Sequence, residues 1–241
     1  MLDSLKGGLI VSCYASKTDA NAEMADPSLI ALVARAVEMG GAAAVRTTLE
    51  NVKAIKSAVS VPVIGIKKVS ATADGFDSGD FRITPTMTEV GQLLAEGADA
   101  VAIDGTRRKR YDELTLDGFI QKIKEEFGCP VIADISTFEE GVAAYKAGAD
   151  AVGTTLAGYT PYSDNPIKFG TVPSPPPDFK IVRRLAEQGI CVIAEGRYNA
   201  PEQAAKALAE GAHAVVVGTA ITMPRKIAEK FVYEMKKVKL R

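Results

Sequence analysis

The chain has 241 residues, of which 29 are basic and 30 acidic, for a net charge of −1 at neutral pH. That balance excludes a broad field drawing the protein to nucleic acid or an anionic membrane, so an anionic ligand must be held by a few local groups. No apolar run approaches the roughly 18 residues of a membrane span, the opening "MLDSLKGGLIVSCYAS" lacks a basic leader pattern, and Cys13, Cys129 and Cys191 stand too far apart for a zinc site or disulfide scaffold, so a cytoplasmic location is expected.

In chain order, the first strand is read at "GLIVSC" (8–13), followed by a helix that opens at Asp26-Pro27 and carries Leu29, Leu32, Val33 and Ala36 at helical spacing. Strands follow at "GGAAAVR" (40–46) and "VPVIGIKK" (61–68), then a helix opened by Thr86 with Glu89. "GADAVAID" (97–104) and "CPVIADIS" (129–136) are the next strands. After them a helix opens at Thr137 with Glu140 and carries Phe138, Val142 and Tyr145. The last three strands are "GADAVGTT" (148–155), "ICVIAEGR" (190–197) and "GAHAVVVGT" (211–219), with Asn199 and Glu202 as the start signal of the helix between the final two. Four of these strands are entered through glycine and alanine, and glycine suits the left-handed turn that ends a helix. The strands are continuous apolar runs, which parallel strands covered on both sides require. Eight such units at this length indicate a single (β/α)8 barrel, one catalytic domain over residues 1–241.

In that architecture the active site forms at the C-terminal ends of the strands. Those ends carry Cys13, Arg46, Lys67 and Lys68, Asp104, Asp134, Thr154 and Thr155, Glu195, and Gly218 with Thr219. His213, the only histidine, precedes its strand and falls on the opposite face, which leaves metal-free chemistry with no cofactor as the expectation. Cys13, like the other two cysteines, reads as packing rather than chemistry. Gly196-Arg197 and Gly218-Thr219 follow the seventh and eighth strands, where backbone N–H groups commonly cradle a phosphate and a guanidinium adds charge-assisted bonds.

Strand alternation sends Lys67 and Lys68 to opposite sides, but their neighbours are apolar on both sides, so periodicity does not select the inward one. A lysine acting as a base near neutrality must fall about three units from its usual value of about 10.4, and Arg46 is a candidate neighbour for that effect. Glu195 and Asp134 each interrupt an apolar run; Glu195 is the better candidate for proton transfer, and Asp134 suits equally a structural role beside Arg46 or Arg197. The proline-rich stretch 160–179 reads as a lid or an oligomer contact, 70–81 as a second long loop, and "RRKR" (107–110) as either a solvated turn or a substrate contact.

Together these strand ends resemble the N-acetylmannosamine-6-phosphate 2-epimerases, above all through "ADIST", "GTTLAGYTPY" and "IAEGR", and the likeness runs over nearly the whole chain. The resemblance implies a cytoplasmic isomerase of amino-sugar (sialic acid) catabolism, acting without metal on N-acetylmannosamine 6-phosphate to give N-acetylglucosamine 6-phosphate. Its lysine falls on Lys68 and its glutamate on Glu195 as the catalytic pair. Its binding residues fall on Arg46, Asp134 and Arg197, alongside the Gly196, Gly218 and Thr219 loops. An N-acetylated hexosamine 6-phosphate is then the partner, with neither nucleic acid nor membrane, and a homodimer is compatible with it. Two positions depart from the family: Tyr14 stands where glutamine is common, and Met223 where arginine is common, with Arg225 the candidate replacement cation. The competing functions are a Schiff-base aldolase or synthase using Lys68, and a non-catalytic sugar-phosphate-binding protein.

Overall fold

The computed structural model describes residues 1–15, 22–70, 81–167 and 175–238. Eight parallel strands close into a barrel: β1 (Leu9–Ser12), β2 (Ala44–Thr48), β3 (Val63–Ile66), β6 (Ala100–Asp104), β7 (Val131–Asp134), β8 (Ala151–Gly153), β9 (Val192–Glu195) and β10 (Ala214–Val217), with β10 pairing back onto β1. Two short strands, β4 (Lys68–Ser70) and β5 (Phe81–Ile83), form an antiparallel hairpin after β3. The helices are α1 (Pro27–Met39), α2 (Leu49–Lys56), α3 (Met87–Ala95), α4 (Leu116–Phe127), α5 (Phe138–Lys146), α6 (Phe179–Ala186), α7 (Pro201–Ala209), the short α8 (Thr219–Thr222) and α9 (Pro224–Met235). All eight strands expected from the sequence are present, so the (β/α)8 barrel stands.

Alternation along the strands divides the apolar residues into two shells. Ile10, Ala44, Ile64, Ala100, Ile132, Ala151, Ile193 and Ala214 fill the barrel interior. Their strand neighbours Val11, Val45, Val63, Val101, Val131, Val152, Val192 and Val215 face the helices. Each strand is thus wetted on neither side, which is why it reads as one apolar run. The parity that puts Ile10, Ala44, Ile132 and Ile193 inside carries Ser12, Arg46, Asp134 and Glu195 to the mouth.

The repeated Gly-Ala-Asp entrances also set strand register. Asp99 accepts from the amide of Val63 at 2.8 Å and pairs with Lys56 at 2.5 Å. Asp150 repeats the pattern, accepting from Val131 N at 2.8 Å while Lys124 pairs with it at 2.7 Å. Each aspartate therefore pins the first residue of the neighbouring barrel strand to the start of its own. His213, in the equivalent place before β10, contacts the Leu2 carbonyl at 2.9 Å at the closed end, away from the mouth.

Helix starts follow the capping residues with one exception. Asp26 accepts from Ser28 N at 2.9 Å, and Thr86–Glu89 and Thr137–Glu140 form capping boxes. Asn199, however, is not the cap of α7: Ala200 is, and the Gln203 side chain accepts from the amides of Asn199 and Ala200 at 2.7 and 3.2 Å. The buried stripes of two helices also differ from the expectation. In α1 the buried residues are Ile30, Ala31 and Ala34, while Leu29 and Leu32 are exposed; in α5 they are Glu140, Gly141 and Ala144, while Tyr145 is exposed. Close approach is the reason in α5, because a Cβ on Gly141 would lie 2.7 Å from Leu185 Cδ2.

Candidate active site

β3 ends at Ile66, one residue short of the lysine pair, and Lys68 opens the β4–β5 hairpin instead. Thr84 holds this junction: its amide donates to Lys67 O at 2.6 Å, and its hydroxyl accepts from Lys67 N at 3.0 Å. It does so fully buried and with φ at 45°, a conformation costly for a β-branched residue and paid for by the contacts around it. Lys67 is thereby turned outward onto Glu50 of α2. Lys68 faces the mouth, where Nζ donates to the Tyr14 hydroxyl at 2.8 Å and lies 4.1 Å from that ring's centre and 5.3 Å from that of Phe81.

The same inward parity brings Arg46, Asp134 and Glu195 to the mouth from the other strands. Arg46 is fully buried and grips Asp134 with both terminal nitrogens, Nη1 to Oδ1 at 3.1 Å and Nη2 to Oδ2 at 2.5 Å. The same Nη1 lies 3.2 Å from Glu195 Oε2. Asp134 sits beneath the cavity and does not line it, whereas Glu195 does. Burial raises the Glu195 carboxyl above its usual range; Arg46 opposes that and Asp134 reinforces it, while Thr155 and Lys68 act with Arg46. For Arg46 burial disfavours the charge, but Asp134 and Glu195 outweigh it and hold the guanidinium protonated.

Two threonines after β8 complete the frame. Thr154 Oγ1 accepts from Glu195 N at 2.9 Å and donates to Glu195 O at 2.8 Å, fixing the backbone of that residue. Thr155 Oγ1 lies 2.6 Å from Asp134 Oδ1 and 3.0 Å from Glu195 Oε2. Gly153 is required here, since a Cβ on it would come 2.5 Å from Asp134 Oδ1 and 3.1 Å from Thr155 Oγ1. Of these, Gly153 and Thr84 carry no sequence signal of a site role beyond standing at strand or hairpin ends, and Tyr14 is singled out in the sequence only as a departure from the family's glutamine.

A cavity of about 620 Å³ opens over these groups, within the range that takes small ligands, and its wall includes Tyr14, Arg46, Lys68, Thr155 and Glu195. Gly196, Arg197, Gly218 and Thr219 form another side of the same cavity. Gly196 and Arg197 both have positive φ, 109° and 65°. The guanidinium of Arg197 donates to Ala157 O at 2.6 Å and Pro176 O at 3.2 Å, which ties β9's loop to the segment after β8. Met223 lines the cavity, but Arg225 does not replace the missing cation there: it is half exposed and paired with Glu23 at 3.4 Å. Lys226 and Lys230 of α9 are the basic residues on that wall.

The remaining candidates fall outside. Cys13 is buried and its thiol pushed up to about 12 by burial, which suits packing. Asp104 is engaged by Arg108 at 2.5 Å, and Arg110 stacks 3.7 Å over the Phe119 ring and donates to Pro85 O at 2.6 Å. Those two arginines of "RRKR" are thus spent on the protein itself, and the cluster surrounds a separate surface hollow. Residues 71–80 of the second long loop, and 168–174 of the proline-rich stretch, lie outside the described residues. Among the described residues no group of three or more His, Cys, Asp or Glu could hold a metal ion, and no helix is long and apolar enough to cross a membrane.

A family model described as "Putative N-acetylmannosamine-6-phosphate epimerase" matches residues 30–237. The chain is 44% identical over 235 residues to a protein of Caldanaerobacter subterraneus subsp. tengcongensis named "Putative N-acetylmannosamine-6-phosphate 2-epimerase", covering 96% of this chain and 92% of the relative. A Cutibacterium acnes protein of the same name is 43% identical, with 96% and 95% covered. The solved structure of the N-acetylmannosamine-6-phosphate 2-epimerase from Clostridium perfringens aligns with a TM-score of 0.84 at 38% identity, over 97% of this chain and 96% of that one. A thiamine phosphate pyrophosphorylase from Pyrococcus furiosus, at 16% identity and a TM-score of 0.56, shares the fold alone.

Proposed function

The chain belongs to the N-acetylmannosamine-6-phosphate epimerase family, and from that premise we propose that it is an isomerase inverting C2 of N-acetylmannosamine 6-phosphate to give N-acetylglucosamine 6-phosphate. The observation that carries the reading is the placement of an amine and a raised-pKa carboxyl, Lys68 and Glu195, on the wall of one cavity. In the opened sugar the C2 hydrogen is acidified by the neighbouring aldehyde. One of the two groups removes it, leaving a planar enediolate-like carbon, and the other delivers a proton to the opposite face. The pair then holds one proton in either direction, on the lysine before the reaction and on the glutamate after it, or the reverse. Raising the acid brings these two states closer in energy, as a reversible reaction requires.

Arg46 stays charged beneath Glu195 in both states, and Asp134 holds it there. In this reading the chemistry belongs to side chains, without metal or cofactor. The phosphate is assigned to the Gly196-Arg197 and Gly218-Thr219 side of the cavity, where backbone amides and the basic wall meet. A single catalytic domain over residues 1–241, a cytoplasmic location in keeping with three unpaired cysteines, and a place in sialic acid catabolism are parts of the same proposal. A homodimer is proposed as well, on the strongly exposed Phe231, Val232 and Met235 of α9, and light scattering checks it.

The test contrasts two substitutions. Lys68→Ala is expected to abolish turnover while calorimetry still shows the sugar phosphate binding, whereas Arg197→Ala is expected chiefly to raise KM. Equal loss of affinity in Lys68→Ala would make Lys68 a binding group and remove the basis of the proposal.

A further inference from the structure

Thr155 has one hydroxyl proton and two carboxyl oxygens within reach, Asp134 Oδ1 at 2.6 Å and Glu195 Oε2 at 3.0 Å. It cannot donate to both at once. At the shorter distance two oxygens without a proton between them would repel, so the Thr155 proton lies toward Asp134. The contact with Glu195 is then a hydrogen bond only when Glu195 supplies the proton itself.

The alternative arrangement requires the Thr155 oxygen to draw back from Asp134 Oδ1, so that the two no longer face each other at 2.6 Å without a proton. When Glu195 is a carboxylate, the Thr155 O–H can turn to it, because Asp134 keeps two N–H bonds from Arg46 and loses only its third partner. We infer that Thr155 is a positioning residue whose hydroxyl reverses its hydrogen bond to Glu195 as that carboxyl loses and regains its proton. The inference rests on the epimerase reading, in which Glu195 alternates between acid and carboxylate in every turnover.

The proton count closes. Glu195 starts as the acid, donating to Thr155, and ends as the carboxylate once its proton has gone to C2. Lys68 ends with the proton taken from the other face, and the Thr155 proton only rotates between Asp134 and Glu195. In both states Glu195 has a hydroxyl partner and the same backbone clamp from Thr154, so its carboxyl need not move between the two halves of the reaction. The charged or titratable groups that face it are Arg46 from β2, Asp134 from β7 and Lys68 from β4. None of these both donates and accepts without changing its own charge.

Thr155→Val keeps the side-chain shape and removes the hydroxyl; Thr155→Ser keeps the hydroxyl. Steady-state kinetics with N-acetylmannosamine 6-phosphate and N-acetylglucosamine 6-phosphate are expected to show kcat reduced about 10- to 100-fold in Thr155→Val in both directions, with KM little changed, and restored in Thr155→Ser. Difference infrared spectra at mildly acidic pH are expected to show a protonated carboxyl band that vanishes in Glu195→Gln and moves to higher frequency in Thr155→Val. Absence of that band overturns the inference, as does a parental kcat in Thr155→Val, or a raised KM with kcat unchanged, which would place the hydroxyl on the substrate. A parent protein inactive on both sugars removes the epimerase reading and this role with it; an active parent with an indifferent Thr155→Val removes this role alone.

Discussion

Asp134→Asn keeps the size of a side chain that is wholly buried and removes its charge. Arg46, itself 2% exposed, would lose a partner bound at 3.1 and 2.5 Å and keep only Glu195 at 3.2 Å. An asparagine presents one acceptor and one donor where two acceptors stood, so its amide nitrogen faces an arginine N–H in either orientation. Breaking one side of such a buried pair costs about 3–5 kcal/mol, because the remaining charge has lost both water and its partner. For a domain of this size that corresponds to a fall in Tm of roughly 6–20 °C. The same change acts on Glu195. Asp134 raises that carboxyl and Arg46 lowers it, so with Asp134 neutral the Glu195 pKa falls. In the direction where Glu195 takes the proton, the acid limb of the kcat/KM profile then moves to lower pH. Calorimetric melting and a pH–rate series measure both effects. A parental Tm together with an unmoved acid limb would mean that neither the buried pair nor its coupling to Glu195 is real.

Glu195→Gln is expected to abolish turnover without loss of stability at neutral pH. A carboxyl whose folded pKa is raised binds its proton more tightly folded than unfolded, so its contribution to stability is lost as pH rises through the window above the unfolded value. Glutamine has no charge to bury, and its Tm at pH 8 should match or exceed that of the parent; a clear drop would show that the Arg46 contact outweighs desolvation. Gly153→Ala is expected to lower kcat more than affinity, because the added methyl would sit 2.5 Å from Asp134 Oδ1 and must displace the carboxylate under Arg46. Parental kcat in that variant would mean that the acid cluster tolerates a shift of that size.

The eight strands were legible because each is an apolar run, four of them with a glycine-alanine entrance, and the barrel followed from their number. The helix faces were less so. Leu29, Ile30, Ala31, Leu32 and Val33 are all apolar, so the period alone does not set the phase of α1, and the structure turns Ile30, Ala31 and Ala34 inward. The lysine pair was undecidable by alternation for a physical reason: a barrel strand is buried both toward the interior and toward the helices. The family resemblance points to Lys68, and in the fold the long-range partners, Glu50 for Lys67 and Tyr14 for Lys68, separate them. Arg46, Asp134 and Glu195 stood out as charges breaking apolar runs. Thr155 and Gly153 did not, because their importance lies in distances to residues 19 to 40 positions away that only the closed barrel brings together. Among the arginines of "RRKR", Arg108 and Arg110 were undecided between solvent and substrate in sequence, and their pairing within the protein is likewise a product of the fold.

Epimerisation by the two side chains requires that hydrogen leaves C2 on one face and a solvent-derived hydrogen enters on the other. Incubation of the parent protein with N-acetylmannosamine 6-phosphate in D₂O, followed by proton NMR, measures this directly. The expected product is N-acetylglucosamine 6-phosphate carrying deuterium at C2. Product that retains its original C2 hydrogen, or a covalent lysine adduct trapped by borohydride, would rule out proton exchange at C2 by Lys68 and Glu195.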